Sequence, residues 1–205
     1  MQKEVQLAEY KFDPALLFES DERFNKLYPP QLRELANTHW TPLEVAESAA
    51  DFLVRKKGDR ILDIGSGTGK FCLAAAYYKP TAFFTGVEQR FSHVQYAENA
   101  RQKLGFSNVS FIHENFTKTV ITQYQHFYFY NSFYENITGT PKIDNSLNYS
   151  YELYHLYQQC LNRQFDKMPS GTRVASFHSL EHGAPRGFVV VGSDMNDLLK
   201  FWVKI

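Results

Sequence analysis

Short apolar runs alternate with longer segments of mixed pattern along most of this chain. Residues 61–64, 82–87, 109–113, 127–130 and 173–177 are brief and rich in β-branched or aromatic side chains. Such runs predict strands buried on both faces. Between them, 71–78, 92–104 and 149–165 read as helical segments. This alternation predicts an α/β fold with a doubly wound, mostly parallel sheet. After residue 177 the rhythm changes. Residues 187–191 and 199–203 read as two last strands with no helix-length segment between them. A C-terminal β-hairpin is the expected result, which brings the sheet to seven strands.

The segment before the first strand has a different pattern. Residues 14–19, 22–27, 30–36 and 42–55 read as helices rich in aromatic side chains. In the last of these, Thr41 is the expected cap and Pro42 the first helical residue. Val45, Ala49, Phe52 and Leu53 share one face, suited to lie on the sheet. The organisation expected is one domain over 1–205, with 1–57 a helical cover and 58–205 the α/β core. Residues 37–41 (Asn-Thr-His-Trp-Thr) precede that helix and are candidates for a lid.

The chemistry is most legible where the first strand ends. Residues 61–71 read Ile-Leu-Asp-Ile-Gly-Ser-Gly-Thr-Gly-Lys-Phe. Gly65, Gly67 and Gly69 allow a tight turn and close approach of a ligand to the backbone. The turn also leads into a helix N-terminus, where an anionic group is welcome. The spacing G-x-G-x-G departs from the dinucleotide pattern G-x-G-x-x-G. Gly69-Lys70 is followed by Phe71 rather than the Ser or Thr of a P-loop. The next strand, 83–88, ends in Glu88. A carboxylate in that place can accept both hydroxyls of a ribose.

The glycine turn and the acidic strand end, in this order, resemble the class I (seven-strand) S-adenosylmethionine-dependent methyltransferases. Asp63 and the three glycines match the family's first motif, and Glu88 its ribose-binding position. The resemblance implies S-adenosyl-L-methionine as cofactor, held by Thr41, Asp63, Gly65, Ser66, Gly67, Gly69, Glu88, Gln89, Asn115 and Phe116. Asn115 ends the third strand, where the family reads adenine; an amide offers both donor and acceptor, and Phe116 a face to stack on. Many relatives carry Asp there. Capping of the following turn is the alternative role for Asn115.

In the same family the loop after the fourth strand shapes the acceptor site. Here it reads Asn131-Ser132-Phe133-Tyr134, similar to the Asn-Asn-Phe-Ala of the non-SET histone lysine methyltransferases. Thr41-Pro42-Leu43-Glu44-Val45-Ala46, Val87-Glu88-Gln89, Asn115-Phe116 and 171–176 (Gly-Thr-Arg-Val-Ala-Ser) follow that subfamily's order as well. The resemblance implies Asn131, Phe133 and Tyr134 as the catalytic set, with a protein lysine or another amine as acceptor. A small-molecule or nucleic-acid acceptor is the alternative, and a non-catalytic cofactor-binding module the alternative of another class. Phe127 and Phe129 are expected to be core. The polar, turn-rich segment 135–150 is expected to set specificity.

Composition narrows the picture further. Lys plus Arg and Asp plus Glu are 22 each, so there is no overall basic field for nucleic acid, and no lysine-rich tail. The start, Met-Gln-Lys-Glu-Val, has no apolar signal core, and no window is apolar enough for a membrane span. Two cysteines, Cys72 and Cys160, make no disulfide framework, and the cytoplasm is the expected location. His178-Ser-Leu-Glu-His182 matches a metallopeptidase string. It follows a strand and runs into Gly183-Ala184-Pro185, so no metal site is expected.

Overall fold

A computed structural model describes residues 14–178 and 186–205. The N-terminal pentapeptide, Glu181 and most of the His178–His182 string therefore lie outside the described residues.

All seven expected strands form one sheet. They are β1 (Arg60–Ile64), β2 (Phe83–Glu88), β3 (Val109–His113), β4 (His126–Tyr130), β5 (Arg173–Phe177), β6 (Phe188–Asp194) and β7 (Leu199–Lys204). Their order is β3-β2-β1-β4-β5-β7-β6. The first five run parallel, and β7 is antiparallel to both β5 and β6. The chain turns between β6 and β7 through Met195, Asn196 and Asp197, all with positive φ. Strand order reverses between β1 and β4, which opens a crevice at the strands' C-terminal ends.

Side chains alternate across the sheet. From β4, Phe127 and Phe129 enter one core layer with Leu62, Ile64, Phe165 and Trp202. Tyr128 enters the other with Ile61, Phe71 and the cover helices. Phe127 and Phe129 are fully buried, as expected. The register pairs Asp63 with Tyr128 on one side and Gly86 on the other. Period-2 alternation thus aims Asp63 into the layer beneath the cover.

The helices are α1 (Pro14–Leu17), α2 (Asp21–Asn25), α3 (Pro30–Arg33), α4 (Ala36–His39), α5 (Leu43–Leu53), α6 (Lys70–Tyr78), α7 (Phe91–Leu104) and α8 (Tyr151–Phe165). One sequence expectation is corrected at α5. Pro42, with ψ 150°, is its cap residue, and the helix starts at Leu43. Thr41 does not cap; its hydroxyl lies 3.0 Å from that of buried Tyr128. The Leu43 N–H is capped from a distance by Asp21 Oδ1 at 3.0 Å.

Lys70, just before the Phe71 that breaks the P-loop pattern, joins the cover to the glycine turn. Its buried ammonium donates to Asp21 Oδ1 at 2.5 Å and Asn25 Oδ1 at 2.9 Å. It also lies near the rings of Phe24 and Trp40. Burial pulls its pKa down and Asp21 opposes that pull. Lys70→Met is expected to cost about 1–2 kcal/mol, because Asp21 is half exposed and recovers some hydration. A lower urea midpoint, with faster proteolysis at residues 14–40, is the expected readout.

Candidate cofactor and acceptor site

The first glycine turn rests on β2. The N–H groups of Gly65 and Ser66 both donate to Val87 O, at 2.9 and 3.0 Å. Gly65 has φ +75°, and a Cβ there would lie 2.5 Å from Ser132 Cβ. Glycine is therefore required twice over, by backbone and by space. Gly67 N donates to Glu88 Oε2 at 3.1 Å, and Arg90 N to Oε1 at 2.8 Å. Each carboxylate oxygen keeps further lone-pair capacity for a ligand hydroxyl. Burial pushes the Glu88 carboxyl up, and the Arg90 and Gly67 donors oppose this.

These groups form one wall of a cavity of about 540 Å³. Gly65, Gly67, Glu88, Gln89, Asn115 and Phe116 line it from β1, β2 and the segment after β3. Asn131, Phe133 and Tyr134 line it from the loop after β4. Asn37, Thr38 and His39 of the candidate lid reach it from the cover. A pocket of about 30 Å³ adjoins, sharing His39, Gly65 and Tyr130 with the larger one and lined also by Trp40, Thr41, Asp63 and Ser66. Of the residues expected to hold a cofactor, Gly69 alone lines neither space. Its φ is +83°, and a Cβ there would meet Phe111 Cζ at 2.4 Å. Gly69 serves close packing of α6 on the sheet.

Asp63 is deeply buried beside the Cys72 thiol, whose Sγ lies 3.7 Å from Oδ2. Burial pushes its carboxyl up to about 8. Ser66 Oγ is buried with no hydrogen-bond partner among the described residues. Such an orphan costs free energy unless a ligand or water satisfies it.

Of the two roles expected for Asn115, its hydrogen bond to Thr117 is that of a cap. Its Oδ1 accepts from Thr117 N at 3.0 Å, capping a 3-10 turn (Phe116–Lys118). Its Nδ2 donates to Gln89 Oε1 at 3.2 Å and Tyr157 OH at 3.0 Å, at the cavity wall. Phe133 is buried against Phe116, Phe129 and Tyr157, with ring centroids 5.1–5.8 Å away. Tyr134 is exposed at the rim.

Asn131 has φ +44°, the left-handed region that few non-glycine residues occupy. His178, the corresponding residue after β5, has φ +52° and lines the same cavity. Backbone strain of this kind gathers at functional sites. His39 and His178 face the cavity from opposite elements, and burial lowers the pKa of His39.

Sequence reasoning missed Arg90, Tyr130, Ser132, Tyr157 and His178. Only Arg90 carried a local signal, a cation two residues beyond the carboxylate expected to bind ribose. Among the described residues no group of three or more His, Cys, Asp or Glu is placed to hold a metal ion. No helix among them is long and apolar enough to cross a membrane.

Comparison with known proteins agrees with this architecture. Residues 55–137 match a family model described as a methyltransferase domain. A tRNA (guanine-N(7)-)-methyltransferase of Synechococcus sp. (strain JA-3-3Ab) is 46% identical over 54 residues. That stretch is 26% of this chain, and the match spans only 23% of the relative's length. Among solved structures, TrmN from Thermus thermophilus superposes with TM-score 0.57 at 16% identity, over 84% of this chain and 51% of that one. An RNA methyltransferase from Salinibacter ruber, in complex with S-adenosyl-L-homocysteine, superposes with TM-score 0.50 at 19% identity, over 86% and 92%. Residues 55–137 are thus similar to a methyltransferase domain, and the chain shares the fold of these solved structures.

Proposed function

We propose that this chain is an S-adenosylmethionine-dependent methyltransferase whose acceptor is a compact amine entering beside Asn131. The observation that carries the reading is the continuity of one cavity from the Gly65–Gly67 turn and Glu88 to Asn131, Phe133 and Tyr134. The groups present suit the cofactor: a buried carboxylate with free lone pairs for ribose, glycines whose backbone a ligand can approach closely, and aromatic walls for a sulfonium. When bound, the cofactor supplies an electrophilic methyl carbon; the amine lone pair takes it as the C–S bond breaks and its electrons go to sulfur.

The protein's part is positioning and exclusion of water. Glu88 fixes the ribose, Phe133 walls the channel, and the Asn131 amide orients the acceptor nitrogen. A partly desolvated aromatic site favours the neutral amine that can attack, its proton passing to solvent. The likeness to the protein-lysine enzymes stays one of short motifs, so a lysine side chain is one amine among several.

Nucleic acid is the second reading, favoured by the names of the Synechococcus tRNA and Salinibacter RNA methyltransferases and by Tyr151 and Tyr154, stacked 6.1 Å apart on α8. Against it stands the charge of the cavity. Glu88, Glu114 and Glu135 line it, and its Arg90 is already matched by carboxylates. A polyanion would be repelled there.

Methyl transfer from labelled cofactor to a panel of primary amines, a lysine-bearing peptide and unmodified tRNA tests this directly. Asn131→Gly, which tolerates φ +44°, is expected to slow turnover about 10–100-fold while S-adenosylhomocysteine affinity is unchanged. Loss of that affinity would move Asn131 from the acceptor to the cofactor.

A further inference from the structure

Arg90 stands where α7 begins, two residues past Glu88. Its side chain is 4% exposed, yet the guanidinium meets three carboxylates. Nη1 lies 3.7 Å from Glu88 Oε1. The other nitrogens reach into the segment after β4. Nη2 donates to Glu135 Oε2 at 2.6 Å and to Tyr149 OH at 2.8 Å, and Nε to Asp144 Oδ1 at 3.3 Å.

The segment 135–149 depends on these contacts for its shape. It has little regular structure of its own. Glu135 Oε2 also accepts from Ile143 N at 3.0 Å, and the Lys142 ammonium folds back to donate to Glu135 O and Ile137 O. Glu135, Pro141 and Ile143 line the large cavity. One buried cation thus holds a wall of the acceptor side and touches the carboxylate expected to take the ribose. A guanidinium can do this because its planar fork serves several acceptors at once, which an ammonium does poorly.

We propose that Arg90 is a positioning residue that ties the loop 135–149 to Glu88, so that closing this loop and filling the cofactor site strengthen one another. The inference rests on the cofactor reading above. Without the guanidinium, Glu88, Glu135 and Asp144 repel one another and the wall opens. By linkage, a cofactor that favours the closed wall is itself favoured by it.

Amide hydrogen exchange tests this on the wild type, Arg90→Gln, Arg90→Lys and Tyr149→Phe, each with and without S-adenosylhomocysteine. In the wild type, saturating S-adenosylhomocysteine is expected to slow exchange across 135–149. In Arg90→Gln these amides exchange fast with or without it, and affinity falls about tenfold. Arg90→Lys recovers part of both effects, and Tyr149→Phe, which keeps every charge, gives a smaller loss. Amides of β1 and β4 stay protected throughout, which separates loop release from unfolding. Unchanged loop exchange on saturating the wild type, or wild-type protection in Arg90→Gln, overturns the proposal. Failure of the wild type to bind S-adenosylhomocysteine removes the cofactor reading and the coupling with it. The positioning role is then still decided by the free proteins, where Arg90→Gln must release the loop.

Discussion

Glu88→Ala is expected to weaken S-adenosylhomocysteine binding by about 1–3 kcal/mol, because the ribose hydroxyls lose a charged acceptor. The side chain does more than wait for a ligand. It accepts from Gly67 N and Arg90 N, so alanine leaves two donors without their acceptor and slackens the glycine turn. Glu88→Gln keeps one carbonyl oxygen and is expected to fall between wild type and alanine. Calorimetry with both variants, beside their melting temperatures, separates ligand contact from relaxation of the turn. Affinity unchanged in Glu88→Ala would remove this residue from the site.

The second large effect is expected at Gly65. An alanine there must adopt φ +75° and place its Cβ 2.5 Å from Ser132 Cβ. Together the strain and the clash are expected to cost about 2–4 kcal/mol of stability and to displace the Asn131–Ser132 turn. Ser132→Ala should relieve only part of this, since it removes Oγ, 2.7 Å from the added Cβ, and leaves Cβ at 2.5 Å. Ser132→Gly added to Gly65→Ala should restore the clash component and leave the backbone component, less the hydrogen bond from Ser132 Oγ to Ile64 O. Urea denaturation of the single and double variants measures the two parts. A fully stable Gly65→Ala would contradict the close approach of these two loops.

What the sequence disclosed, and what it withheld, follows from how far each interaction reaches along the chain. The strands were legible because burial on both faces leaves nearly continuous apolar runs, as in Ile61-Leu62 and Phe127-Tyr128-Phe129. Glu88 was legible because a strand's last residue and a glycine turn are local patterns. Thr41 reads as a cap because it stands before Pro42, whereas its hydroxyl meets Tyr128, 87 residues away. Asp21 supplies the missing cap from 22 residues upstream, which no local rule anticipates.

Gly69 repeats the point in another form. Its left-handed φ fits the glycine motif, but its contacts are Phe111 and Ala97, from a strand and a helix much later in the chain. What Arg90 meets was hidden for the same reason. Its partners Glu135, Asp144 and Tyr149 lie 45–59 residues on, in a segment that reads only as polar and turn-rich. The loop 131–134 was legible as a candidate, yet Ser132, the residue in it that meets Gly65, had no local signal.

The central claim is that the cavity between Glu88 and Asn131 takes S-adenosylmethionine. Calorimetric titration of S-adenosylhomocysteine and, separately, of NAD into the purified protein tests it most directly. The account predicts saturable one-to-one binding of S-adenosylhomocysteine with micromolar or tighter affinity and no heat of binding from NAD. Binding of NAD alone would make the site one for dinucleotides, and binding of neither would reduce the Gly65–Gly69 turn to a packing element and end the catalytic reading.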